Sequence, residues 1–71
     1  MTNRASNHYY IYIEYTDHRK YVGNMSGYCE LWQVEESARS YFLRDQQLYG
    51  AKVNKWVIEN DDHQIIDGGT Y

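Results

Sequence analysis

Proline is missing from this 71-residue chain, and cysteine occurs once, at Cys29. A single thiol has no intrachain partner, so a disulfide framework is excluded. No stretch approaches the roughly 18 consecutive apolar residues that a membrane-crossing helix needs. Basic charge is also short: seven Lys and Arg face ten Asp and Glu, for a net charge of −3 with neutral histidines. That balance argues against a basic nucleic-acid binder, because affinity for phosphate depends on cations. With 24% charged and 42% hydrophobic residues, the composition is that of a folded globular chain rather than a disordered one. The length allows one domain, residues 1–71.

What is abundant is tyrosine, which supplies nine of the twelve aromatic residues. Tyrosine combines a broad apolar ring with a polar tip, so it suits partly exposed strands and interfaces alike. A chain near 60 residues buries only about 60% of its unfolded surface. So small a core has no room for nine such rings, and several are expected on the surface, where a contiguous patch marks a binding site.

Residues 1–7 are polar and read as a frayed terminus. They lack the apolar stretch of a signal peptide, which makes the cytoplasm the expected location. From His8 to Thr16 the pattern alternates. Tyr9, Ile11, Ile13 and Tyr15 take the core face, and Tyr10, Tyr12, Glu14 and Thr16 the other. A polar turn follows over residues 16–20, then a short strand over 21–25. Apolar spacings of three, four and seven within 31–49 predict one long helix. It is placed from about Val34, with Glu35 and Glu36 in its first turn, because residues 29–32 read equally well as strand. Gly50 is its natural stop. Residues 51–59 form a further strand, with Val53 and Val57 on one face and Trp56 and Ile58 on the other. A turn at 60–63 leads to a last short strand over 64–67, and 68–71 reads as a loose tail.

The order β-β-α-β-β predicts an α+β fold, a small antiparallel sheet of three to four strands with one helix packed on one face. The other face is then open, with Tyr10, Tyr12 and Trp56 on it.

The chemical signals are sparse. His8, His18, His63 and Cys29 are too scattered for a metal site, and no other cofactor is indicated. Cys29 sits beside Glu30, which disfavours its thiolate. Glu35 and Glu36 are helix neighbours that do not face each other. The chain is therefore expected not to be an enzyme. The expected partner-binding residues are Tyr10, Tyr12, Glu14, Asp17, Tyr21, Trp56, Asp61 and Asp62, aromatic anchors with acids suited to a basic protein partner. Two alternatives are a single-strand nucleic-acid module using the same rings and a homodimer that packs its rings against a second copy. No membrane partner is expected.

A compact acidic chain laid out as residues 9–15, 34–49, 51–59 and 64–67, without a catalytic motif, resembles small phage-encoded inhibitors of host defence, above all anti-CRISPR proteins. The likeness lies in size, charge and layout, and no motif residue carries over. It implies stoichiometric binding, in the bacterial host cytoplasm, to a CRISPR effector or another host nuclease, blocking target DNA or a partner subunit.

Overall fold

A computed structural model describes residues 7–27 and 29–70. Strands β1 (Asn7–Tyr15) and β2 (Arg19–Gly27) form a hairpin, followed by helix α1 (Leu31–Tyr49). A 3₁₀ turn over Gly50–Lys52 leads into β3 (Val53–Glu59) and β4 (Ile65–Gly69). The four strands make one sheet in the order β2-β1-β3-β4, each pair antiparallel. The helix lies over the central strands β1 and β3 on one face, the α+β arrangement expected. Among the described residues, no helix is long and apolar enough to cross a membrane.

The helix stripe facing the sheet is Val34, Ala38, Phe42 and Asp45. Spacings of four, four and three keep these positions on one side of a 3.6-residue turn. They meet Ile11, Ile13 and Tyr15 of β1, and Val53, Trp56 and Ile58 of β3. The helix starts at Leu31, earlier than Val34, with Glu30 as its N-cap. The Gln33 side chain reaches back to accept the Glu30 N–H at 2.7 Å, which satisfies a donor the helix leaves open. Glu35 and Glu36 consequently fall beyond the first turn. At the other end Gly50 adopts φ 62° and donates its N–H to the Gln46 carbonyl, a stop that favours glycine.

Three strand assignments need correction. Trp56 is on the helix side, 3% exposed, and not on the open face. Glu14 pairs with Lys55, but Tyr15 pairs with Val53. Asn54 is thus an extra residue, which shifts the side-chain alternation by one. Val53 and Trp56 both point to the helix, and Val57 points away. Next, β2 is nine residues long and starts at Arg19. Last, Gly68 and Gly69 are sheet residues opposite Val57 and Trp56, not part of a loose tail. A Cβ on Gly69 would lie 2.9 Å from the Trp56 ring, so the indole needs glycine beside it. Of the segment expected to fray, Asn7 already belongs to β1; residues 1–6 and 71 lie outside the described residues.

A charged side chain is buried between the helix and the sheet. Asp45 is 0% exposed, accepts a hydrogen bond from the buried Tyr15 hydroxyl, and has Arg44 Nε at 3.2 Å and Lys20 Nζ at 3.7 Å. Burial pushes its carboxyl up, but the hydrogen bonds from Tyr15 and Arg44 and the Lys20 charge outweigh this and hold it below its ordinary 3.8. Burial, then the bond to Asp45, pushes the Tyr15 phenol up to about 12. This polar tie joins the last turns of α1 to the end of β1.

Candidate functional site: the helix-free face of the sheet

Residues paired across an antiparallel ladder project to the same side. Tyr10 pairs with Asn24 and Glu59, Tyr12 with Tyr21 and Val57, and Glu14 with Arg19 and Lys55. Since Ile11 and Ile13 face the helix, these partners together form the opposite face. No helix covers it.

The rings there touch one another. The His8 ring stacks on Tyr10 with centroids 4.5 Å apart, and His63 lies 6.0 Å from Tyr10, near-parallel to it. Tyr12 and Tyr21 meet edge to face at 5.7 Å, and Tyr21 is 6.5 Å from Tyr10. The Arg19 guanidinium sits 4.0 Å from the centre of the Tyr12 ring, within cation–π range, and also pairs with the Glu59 carboxylate. Glu59 is 4% exposed, so its charge is taken up locally, with His63 Nδ1 a further 3.5 Å contact. Val57, between Tyr12 and Gly68 in register, is 1% exposed. The side chains of this face therefore close over it and form a thin second layer.

Asp61 stands at the rim, accepting the Tyr10 hydroxyl at 3.3 Å, with His8 Nδ1 at 3.6 Å. Burial of the ring, then the Asp61 carboxylate, pushes the Tyr10 phenol up from its ordinary 10. Asp61 and Asp62 are carried by the turn between β3 and β4. There the Asn60 side-chain oxygen accepts the N–H groups of Asp62 and Gln64 at 2.9 and 3.0 Å. Asn24 donates to the Tyr21 hydroxyl.

Of the eight residues singled out from sequence, Tyr10, Tyr12, Glu14 and Tyr21 share this face and Asp61 borders it. Asp62 is exposed in the adjoining turn. Asp17 lies at the opposite end of β1, in the turn to β2, where His18 Nδ1 is 2.7 Å from its carboxylate. That hydrogen bond, then the charge of His18, lowers the Asp17 carboxyl below its ordinary 3.8. Trp56 is in the core beneath the helix. Sequence reasoning missed His8, Arg19, Glu59 and His63. Arg19 and His8 were legible in principle, because a tight hairpin places Arg19 opposite Glu14 and strand alternation puts His8 on the face of Tyr10; the contacts of Glu59 and His63 depend on β3 pairing with β1.

The face thus combines partly exposed rings, one cation resting on a ring and acids along the rim. Among the described residues, no three His, Cys, Asp or Glu side chains converge as metal ligands would. In comparison with known proteins, no family model matches the chain, and no curated protein or solved structure is found similar to it.

Proposed function

We propose that the chain is a non-enzymatic protein-binding module that docks through the helix-free face of its sheet. The observation that supports this is the connected layer of His8, Tyr10, Tyr12, Tyr21 and His63 rings on that face. Rings already held by one another and by Asp61 and Asn24 lose little freedom when a partner arrives, so more of their burial energy becomes affinity. The acids Glu14, Asp61 and Asp62 supply a polar rim that favours a basic partner. A surface of this kind fits stoichiometric inhibition. Joined to the resemblance in size, charge and layout, it makes a nucleic-acid-handling enzyme of bacterial defence the leading partner, its basic groove the feature to be covered.

The test is capture from a bacterial lysate that contains nuclease-based defence systems. Three baits are compared: the wild-type chain, a Tyr12→Ala/Tyr21→Ala variant, and Trp32→Ala on the helix. A protein held by the wild type and Trp32→Ala but lost by the tyrosine variant, with all three folded, supports the reading. Equal retention by the tyrosine variant overturns it.

One observation favours a second reading. Arg19 over the Tyr12 ring on an open sheet is also the chemistry of base stacking in single-strand recognition. Salt-sensitive mobility shifts with mixed oligonucleotides, abolished by Arg19→Gln, would replace protein docking by this alternative.

A further inference from the structure

At the other end of β1, away from the ring layer, lies a cleft of about 320 Å³ lined by Tyr15, Asp17, His18, Lys20, Tyr49 and Lys52. Three elements meet here: the turn between β1 and β2, the end of α1 and the 3₁₀ turn. The Thr16 N–H donates to the Lys52 carbonyl at 2.9 Å, which ties the β1 turn to the 3₁₀ turn.

Its walls are aromatic and its charge is cationic. The His18 ring lies parallel to Tyr15, 3° between planes and 4.7 Å between centroids. Tyr15 covers one side of the imidazole, and the side chain is still 58% exposed, so the other side is open for stacking. Tyr49 stands edge-on to Tyr15 at 5.7 Å and is 49% exposed. Asp17 is committed to His18 Nδ1. Asp45, behind Tyr15, is already held by Tyr15, Arg44 and Lys20. Lys20 approaches Asp45 only at 3.7 Å and is 43% exposed. Lys52 makes no ion pair among the described residues. In a chain of net charge −3, this spot joins two ammonium groups from separate elements to an open imidazole face.

From this arrangement we infer a binding site for a nucleoside monophosphate, its base stacked on His18 beside Tyr49 and its phosphate held between Lys20 and Lys52. Two ammonium groups match the charge of a phosphate monoester better than that of a single carboxylate. A flat ring suits the parallel wall that Tyr15 and His18 provide. The volume is at the low end of small-molecule sites, which run from about 300 to 1,000 Å³, so it takes one nucleotide and not an oligomer. The site is separate from the ring face, and each can fail without the other.

The experiment is a titration of the wild-type chain with adenosine 5′-monophosphate, adenosine and inorganic phosphate, followed by amide chemical shifts. Saturable shifts confined to residues 15–20 and 49–52 are expected with the nucleotide, with adenosine and phosphate each at least tenfold weaker. Lys52→Gln and His18→Ala should each weaken the nucleotide at least fivefold, and Lys52→Gln, which breaks no ion pair among the described residues, should leave the urea midpoint within error of wild type. Phosphate binding as tightly as the nucleotide, no saturation at millimolar nucleotide, or an unchanged affinity in Lys52→Gln would each overturn the assignment.

Discussion

Replacing Asp45 with alanine removes the charged member of the core. The structure predicts a large loss, since breaking this buried polar tie from one side leaves the Tyr15 hydroxyl uncompensated. Tyr15, 9% exposed, would keep a hydroxyl with no acceptor, which costs about 1–3 kcal/mol. Lys20 and Arg44 are 43% and 53% exposed, so both can turn to water. The expected loss is therefore about 3 kcal/mol, the low end of the range for breaking a buried pair. For a domain of this size that corresponds to a fall in Tm of about 12–24 °C. Asp45→Asn keeps an acceptor for Tyr15 and should lose about 1–2 kcal/mol, the charged part of the hydrogen bonding. The pH dependence has a definite sign. A carboxyl held below 3.8 in the folded state contributes stability at higher pH, and that contribution is lost as pH falls through the lower folded value. Wild type should therefore lose more stability than Asp45→Asn on going from pH 5 to pH 2. Urea melts at a series of pH values measure both effects. An Asp45→Ala variant within about 0.5 kcal/mol of wild type at pH 7 would refute the claim that this carboxylate ties α1 to β1.

Three other outcomes are expected. Gly69→Ala places a Cβ 2.9 Å from the Trp56 ring and should cost about 1–3 kcal/mol through overpacking, with a red shift of Trp56 fluorescence in a Trp32→Phe background. A hydrogen bond donated to the Asp67 carboxylate, then burial, raises the Glu35 carboxyl above its ordinary 4.5; such a group favours the fold below pH 4.5 and loses that contribution as pH rises through the higher folded value. Asp67→Asn should return the Glu35 titration seen by carboxyl NMR toward 4.5, and an unmoved titration would rule out the pairing. Tyr21→Ala, at a ring 50% exposed and held mainly by its edge contact with Tyr12, should lower stability by no more than about 1 kcal/mol in a urea melt.

The two-layer architecture could be read from the chain because local signals agreed with the tertiary outcome. The alternation from Tyr9 to Tyr15 survives intact, the helix stripe follows Val34, Ala38 and Phe42, and Gly50 and Asn60 end elements where their backbone chemistry dictates. The errors came where long-range pairing intervened. Asn54 bulges against β1, which sent Trp56 into the core and Val57 to the outer face, and no local pattern marks that slip. Gly68 and Gly69 look like a tail until the Trp56 indole is seen to need space beside them. Asp45 continues the apolar helix stripe three residues after Phe42, a position where a carboxylate should have drawn notice. On the outer face, alternation placed Tyr10, Tyr12 and Glu14 together. The ion pair of Arg19 with Glu59 joins residues 40 apart in sequence and depends on the strand order.

The docking claim is most directly tested by hydroxyl-radical footprinting of the chain alone and in complex with its captured partner. Docking through this face should protect Tyr10, Tyr12 and Tyr21 in the complex, while Trp32 and Leu48, exposed on the helix, react as before. Protection of Trp32 or Leu48 with unchanged reactivity at the three tyrosines would contradict it.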